Sequence, residues 1–126
     1  MALETDFEVT LSNRPGAAAE VGEALGAAGI NIEGACAHGR GGEGVIHVLI
    51  EGDPAAAREA LRARGLKVAA ERSVVVVPCA DTPGELGRIL RRIAAADVNL
   101  VALYLTTNGR IVIAAEEPEH ITGILT

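Results

Sequence analysis

The chain repeats a short pattern of turn-forming and polar residues at a constant spacing. Asn13-Arg14-Pro15-Gly16 is followed by Gly29-Ile30-Asn31-Ile32, and the same order of residue types returns in Asp81-Thr82-Pro83-Gly84 and Asp97-Val98-Asn99-Leu100. Position 13 corresponds to 81 and position 31 to 99, so both segments are displaced by 68 residues. A constant displacement indicates one supersecondary unit that occurs twice, with its special residues in equivalent places. We therefore expect two copies of one site.

Hydrophobic periodicity predicts the same order of elements in both copies. The first copy is predicted as strand, helix, strand, strand, helix and strand, over residues 7–11, 17–28, 30–37, 45–50, 55–64 and 66–70. The second is predicted as strand, helix, strand, strand and helix, over residues 73–78, 83–96, 98–106, 110–115 and 117–126. The order βαββαβ is that of ferredoxin-like folds. We expect an α+β protein of two units, 1–71 and 72–126, with antiparallel sheets and helices on one face.

Local residue types add expectations about how these elements begin and end. Gly29 is predicted to end the first helix as a left-handed residue, and Asp81 or Thr82 is predicted to cap the third helix. Asn108-Gly109 predicts a type I′ hairpin turn. The sequence offers no residues after its last helix for a fourth strand of the second unit. Either the second unit has no fourth strand, or another segment or a partner chain covers that edge of its sheet. Because exposed strand edges are usually covered, we expect a homodimer.

Composition excludes several classes of function. Only 2% of the residues are aromatic, and the formal net charge is −6 with a pI near 5.0, so neither base stacking nor binding to phosphate backbones is expected. The first residues do not form a signal-peptide pattern, and no apolar stretch reaches the roughly 20 residues of a membrane helix. Cys36 and Cys79 fit a reducing compartment better than a disulfide framework. We expect a cytoplasmic protein without a nucleic-acid or membrane partner.

The remaining motifs do not predict a cofactor or a catalytic site. Residues 39–44 match G-x-G-x-x-G formally, but that motif binds nucleotides only where it begins a helix, and here a strand is predicted to follow. A flexible strand connection is the better interpretation. His38, His47 and His120 have no metal-ligand spacing among themselves or with the cysteines. No serine, cysteine or lysine lies in a nucleophile motif, so we expect no cofactor, no metal and no enzymatic activity.

The repeated motifs give both copies a resemblance to the ACT domain. The resemblance is carried by Asn/Asp-x-Pro-Gly between the first strand and first helix, and by Gly-Ile/Val-Asn-Ile/Leu opening the second strand, with Asp97 at the glycine position of the second copy. It covers nearly the whole chain, which resembles small stand-alone proteins of two ACT units without a catalytic domain. The resemblance implies a regulatory module that binds a small ligand, with an amino acid as the expected ligand, and signals to a partner such as a metabolic enzyme.

The resemblance also implies where the ligand binds. In the family, ligands commonly lie where the loop after the first strand of one unit meets the second strand of its neighbour. The residues carried over by position are Asn13, Arg14, Pro15, Gly16, Asp81, Thr82 and Gly84 in the two loops, with Asn31, Ile32, Asn99 and Leu100 at the two strands. If the units pack side by side, Asn13 faces Asn99 and Asp81 faces Asn31. Leu11 stands where serine-binding ACT domains have a histidine, which disfavours serine.

General chemistry supports this assignment. A helix N-terminus has free N–H groups and a partial positive charge that suit the carboxylate of an amino acid. Gly16 and Gly84 lack the Cβ that would keep a ligand from the backbone, and amides such as Asn13 can pair with either end of a zwitterion. Asp81 is an anion where Asn13 is neutral, so we expect two sites of unequal affinity.

Three alternatives stay open at this point. The loops can be purely structural, with Asn13 or Asp81 capping the following helix and the asparagines before the second strands bonding to local backbone. A small ferredoxin-like enzyme of the acylphosphatase type would use Arg14 to hold a phosphate and Asn13 to orient water. A purely structural or interaction protein would need neither ligand binding nor catalysis.

Overall fold

The computed structural model describes residues 2–125, in which it shows six strands and four helices. In chain order they are β1 (Ala2–Ser12), α1 (Ala17–Ala27), β2 (Ile32–Arg40), β3 (Glu43–Ile50), α2 (Pro54–Ala63), β4 (Lys67–Pro78), α3 (Glu85–Ala95), β5 (Leu100–Leu105), β6 (Arg110–Ala115) and α4 (Pro118–Leu125). None of these helices combines the length and hydrophobicity that crossing a membrane requires. The first of two compact units is Thr5–Arg72, and the second joins the described residues of Ser73–Thr126 to those of Met1–Glu4.

The first unit is a four-stranded sheet with two helices on one face. Its strand order is β2-β3-β1-β4, and β3 is antiparallel to both of its neighbours. Phe7 and Val9 of β1 lie opposite Val48 and Ile46 of β3. These side chains pack against one face of α1 and α2, and the resulting core comprises Phe7, Val9, Val21, Ala24, Leu25, Ile46, Val48, Ile50, Ala57 and Leu61. The predicted ferredoxin-like α+β arrangement is confirmed.

The second unit repeats this plan with a different fourth strand. Its strands lie in the order β1-β4-β6-β5, where the described residues of Met1–Glu4 are the part of β1 that belongs to this unit. No strand follows α4 within residues 2–125, and the position beside β4 is taken by the start of β1. Glu4 Oε2 accepts a hydrogen bond from Arg110 Nη1 at 2.9 Å. Another segment of the same chain therefore covers the edge that the sequence left open.

Two sequence predictions about strands and turns are wrong in detail. The separate strands predicted over 66–70 and 73–78 are one continuous strand, β4. The β5–β6 turn is not type I′, because that turn needs positive φ at both central residues, and only Gly109 has it, at 75°. Thr106 N donates to Arg110 O at 2.9 Å, which leaves a three-residue loop closed by a left-handed glycine.

The helix ends differ between the copies at one equivalent position. Gly29 has φ 73° after α1, which confirms its predicted left-handed conformation at the end of that helix. Asp97 takes the same place after α3 with φ 60°, and it is the one non-glycine residue with positive φ in residues 2–125. A side chain is disfavoured in this conformation, so the second copy keeps the backbone path of the first at some cost in strain.

Candidate functional site

The loop between β1 and α1 leads into a helix that no side chain caps. The N-cap of α1 is Gly16, in a left-handed conformation with φ 90°, and no side-chain hydrogen bond caps the helix. Gly84 plays the same part before α3, with φ 86° and no side-chain cap. By contrast, Asp53 Oδ1 accepts a hydrogen bond from Ala55 N at 3.0 Å and caps α2.

The structural interpretation of the two loops is therefore wrong on this point. Asn13, Asp81 and Thr82 do not cap the helices that follow them, because the chain makes a left-handed glycine the last residue before each helix. The first N–H groups of a helix have no partner within it. In α1 and α3 the first N–H bonds to a carbonyl of the loop, Ala17 N to Arg14 O and Glu85 N to Thr82 O. No side chain caps either helix, so both loops present helix N-termini without a side-chain cap.

The Asn13 side chain fastens the loop to the turn of the β2–β3 hairpin. Asn13 Nδ2 donates to Gly41 O at 2.8 Å, and Asn13 N donates to Gly42 O at 3.0 Å. A Cβ on Gly39 would lie 2.5 Å from Asn13 Oδ1, so only glycine leaves space for this amide. β2 and β3 extend to Arg40 and Glu43, which makes the glycine-rich connection shorter and better held than the predicted flexible segment.

Arg14 connects the loop to the first helix. Its Nη2 donates to Glu20 Oε1 at 2.9 Å, and its Nη1 donates to Pro15 O at 3.3 Å. The loop borders a cleft of ≈ 520 Å³, which continues along the end of β1 to the hairpin turn at Gly42-Glu43 and to the turn between α2 and β4. The residues of this turn that line the cleft are Gly65, Leu66 and Lys67. The sequence alone does not predict them as site residues, although Gly65 after the predicted helix indicates a turn there.

The loop of the second unit has different chemistry. Asp81 and Thr82 lie beside a cleft of ≈ 360 Å³ whose other walls include Cys79, Leu105 and Arg110. Thr82 N donates to Ala80 O at 2.9 Å, and Thr82 O accepts from Glu85 N at 3.3 Å. Thr82 thus stabilises the loop through backbone hydrogen bonds. Its position is equivalent to that of Arg14 in the first loop, so the second loop has a neutral side chain where the first has a cation.

The acidic residue at the start of α3 is paired within its own helix. Arg88 donates two hydrogen bonds to Glu85, at 2.6 and 3.0 Å. The first of the causes that lower the pKa of Glu85 is this hydrogen bonding from Arg88. Glu85 therefore stays ionised and paired with Arg88, so the more acidic character of this loop comes from Asp81.

The two asparagines before the second strands lie far from the loops of their own units. Ile32 pairs with Ile50, and Ile50 pairs with Thr5, whereas the Asn13 loop adjoins the opposite end of the same strands, at Arg40. Eight residues of strand separate the two ends by roughly 26 Å. Asn31 is exposed, and its side chain has no hydrogen bond within the described chain.

Asn99 likewise lies next to Leu100, which pairs with Ala115 at the end of the second sheet away from Asp81. It is exposed and makes no side-chain hydrogen bond to any described residue, so the local-backbone interpretation of both asparagines is wrong. Ile32 and Leu100 pack against the two cores. The facing of Asn13 with Asn99 and of Asp81 with Asn31 stays a prediction.

A buried charged cluster in the first unit had no signal in the sequence. Asp6 is fully buried, and its Oδ2 lies 3.0 Å from His47 Nδ1 and 3.4 Å from Arg72 Nη1. Arg72 Nη1 also donates to Glu8 Oε1 at 2.9 Å. The hydrogen bond to Asp6 is the largest cause raising the pKa of His47, against the lowering effect of burial. Asp6 and His47 are 41 residues apart in the chain, so spacing alone could not associate them.

Comparisons with known proteins agree with this architecture. The family model of the ACT domain matches residues 5–65. The structure of protein BT0572 from Bacteroides thetaiotaomicron superposes with a TM-score of 0.84 at 25% identity, covering 98% of this chain and 86% of that one. No curated protein sequence matches the chain.

Two further solved structures share the fold. The ligand-free regulatory subunit of aspartate kinase from Thermus thermophilus has a TM-score of 0.73 at 23% identity, covering 98% of this chain and 92% of that one. The corresponding subunit from Thermus flavus has a TM-score of 0.67 at 23% identity, with coverage of 98% and 91%. The ACT-domain model thus matches most of the first unit, and the chain shares its fold with the regulatory subunits of aspartate kinase.

Proposed function

We propose that the chain is a non-catalytic regulatory module that binds an amino acid at its β1–α1 loop and signals to a partner enzyme in the cytoplasm. The observation that carries the proposal is the uncapped N-terminus of α1 beside a cleft of ≈ 520 Å³. The capped α2 of the same unit shows that the chain caps a helix elsewhere. Uncapped N–H groups that border a cleft suit a ligand carboxylate.

The solved structures support the regulatory part of the proposal. Two of them are regulatory subunits of aspartate kinase. These structures are 23% identical to this chain and share its fold, and we infer from this likeness that the chain regulates a partner enzyme. The chain's own loops support binding over hydrolysis, because Arg14 is bonded to Glu20 and the Asn13 amide to Gly41. An acylphosphatase would need both groups directed at substrate and water.

We also propose that the active form is a homodimer. β2 lies at the outer edge of the first unit and β5 at the outer edge of the second, and β5 exposes Val101 and Leu105. Exposed strand edges with apolar side chains favour pairing with another chain. Asn31 and Asn99 lie far from the loops of their own units, and a second copy that pairs along these edges would bring them toward a loop of its partner.

A thermal-shift screen against the twenty amino acids tests the binding proposal. At a concentration of one hundred times the dissociation constant, a ligand stabilises the folded state by about 2.7 kcal/mol. We expect at least one amino acid to raise the melting temperature. Asn13→Ala should weaken this effect, because the loop loses its two-point attachment to the hairpin turn.

Gly39→Ala offers a second variant that leaves Asn13 in place. The added Cβ would displace the Asn13 amide, so this variant should weaken the ligand shift as Asn13→Ala does. Gly22→Ala is the matched control, because a Cβ there meets nothing within 4 Å. If no amino acid shifts the wild-type melting temperature, the binding proposal is wrong. A full shift in both Asn13→Ala and Gly39→Ala would mean that the site lies elsewhere.

A further inference from the structure

The cleft beside the first loop contains two charged side chains that the protein itself does not neutralise. Four charged residues line it: Arg14, Glu20, Glu43 and Lys67. Arg14 and Glu20 form an ion pair with each other at 2.9 Å. Glu43 and Lys67 form no ion pair with any residue in the described part of the chain. One uncompensated anion and one uncompensated cation therefore border the same space.

The two side chains come from separate elements that meet at this cleft. Glu43 begins β3 directly after the hairpin turn, opposite Ser12 of β1. Lys67 begins β4 after the left-handed Gly65, which ends the turn from α2 with φ 72°. The positions of both residues are fixed by strands, whereas their side chains are exposed and able to move toward a ligand.

We propose that this cleft binds an amino acid with a neutral side chain, with Lys67 pairing the α-carboxylate and Glu43 pairing the α-ammonium group. The proposal rests on the proposed function and adds the two anchoring residues and the class of ligand. A zwitterion needs both of its charges paired when it leaves water, and charge-assisted hydrogen bonds are the strong ones. Arg14 and Glu20 already neutralise each other, so the cleft has no further charge for an ionised ligand side chain.

The second unit lacks this combination. Its hairpin turn, Thr106–Arg110, contains no carboxylate and ends in a cation. The cleft beside its loop is lined by Asp81 and Arg110, and Arg110 already bonds to Glu4 and Asn108. The inequality of the two sites therefore follows from the hairpin turns as well as from the exchange of Asn13 for Asp81.

The experiment uses the full chain and L-alanine, L-valine and L-threonine as probes in isothermal titration calorimetry. Lys67→Gln and Glu43→Gln should each raise the dissociation constant by about tenfold or more, since each removes one charge-assisted bond. Glu59→Gln and Arg62→Gln are the controls, because both residues lie on the exposed face of α2 outside the cleft. Their dissociation constants should stay within twofold of the wild-type value. L-Aspartate and L-lysine should bind more weakly than the neutral probes. Propionate and ethylammonium, which each carry one charge, should also bind more weakly.

A direct readout uses the fact that Lys67 is the only lysine in the sequence. With ¹³C-lysine labelling, its Cε signal is unambiguous and should move saturably as a neutral amino acid is added. If these amino acids bind wild type and both glutamine variants equally while the Lys67 signal stays still, the cleft assignment is wrong and the proposed function survives. Preferential binding of aspartate or lysine would overturn the neutral class. If none of the twenty amino acids binds wild type, both proposals fail.

Discussion

Asp6→Ala is expected to lower the free energy of unfolding by about 3 kcal/mol, because removing one partner of a buried charged pair leaves the others uncompensated. Asp6 is fully buried, with His47 Nδ1 at 3.0 Å and Arg72 Nη1 at 3.4 Å. In Asp6→Ala, Arg72 keeps its ion pair with Glu8 at 2.9 Å. Because the arginine stays paired, the expected loss of free energy of unfolding is at the low end of the range for buried pairs. Urea denaturation of wild type and variant at pH 6 measures the difference.

The same cluster predicts a pH dependence of stability. The folded-state pKa of His47 is raised above 6.5, first of all by the hydrogen bond to Asp6. A group of this kind contributes its full stabilisation below pH 6.5 and loses it as the pH rises through the folded-state pKa. The wild-type contribution from His47 should therefore fall as the pH rises above 6.5.

Asp6→Asn and Glu51→Gln complete the pH experiment. Asp6→Asn keeps the shape of the side chain and should flatten the decline, because the neutral amide no longer favours the charged imidazole. Glu51→Gln changes an exposed residue of the same unit and should leave the decline intact. A decline of equal size in wild type and Asp6→Asn would show that this hydrogen bond does not raise the pKa of His47.

Phe7→Ala is expected to cost about 3–5 kcal/mol, the usual range for truncating a buried aromatic side chain. Phe7 is the only phenylalanine in the sequence, is fully buried in the first core and lies opposite Val48 on β3. Few other large side chains are near enough to fill the space, since this core consists mostly of valine, alanine, leucine and isoleucine. A loss of this size is a large fraction of the 5–15 kcal/mol that stabilises a typical domain.

Thermal or denaturant unfolding, followed by circular dichroism, measures this effect. Phe7→Leu keeps most of the buried volume and should lose clearly less stability than Phe7→Ala. Leu3→Ala, at a residue that is 44% exposed, is the apolar control and should change stability by less than about 0.5 kcal/mol. Equal losses for Phe7→Ala and Leu3→Ala would contradict the core assignment.

The repeat and its order of elements could be predicted from the sequence because they depend on local signals. Alternation of apolar residues marks strands such as 7–11, helical spacing marks α1, and glycine marks the left-handed end at Gly29. These signals act within a few residues, so each copy shows them. Their recurrence at 68 residues then made the ferredoxin-like order recognisable.

The details that were missed depend on contacts between distant segments. The sequence predicts separate strands over 66–70 and 73–78, with Glu71 and Arg72 between them. In the folded chain, Glu71 pairs with Arg58 of α2 and Arg72 pairs with Glu8 of β1. Because both charges are paired, β4 continues through these two residues. The covering of the open edge by the start of β1 is equally non-local.

The candidate site also combines features that local sequence signals predict with features that depend on contacts between distant segments. The motif predicts the loop residues, and its structural alternative assigns Asn13 a capping role because asparagine before a helix usually caps it. The left-handed Gly16 takes that position and frees Asn13 to hold the hairpin turn at Gly41. Glu43 and Lys67 were missed because each is an ordinary charged residue until the fold brings both to one cleft.

A ¹H–¹⁵N NMR titration with a neutral amino acid shows directly whether the ligand binds beside the first loop. Binding there predicts saturable shifts of the amide signals at Gly16–Ala18 and at Gly65–Lys67. The signals at Ala55 and Ala56 should stay unchanged, because the N-terminus of α2 is capped by Asp53. Saturable shifts confined to the second unit, or no saturable shift with any of the twenty amino acids, would contradict amino-acid binding beside the first loop.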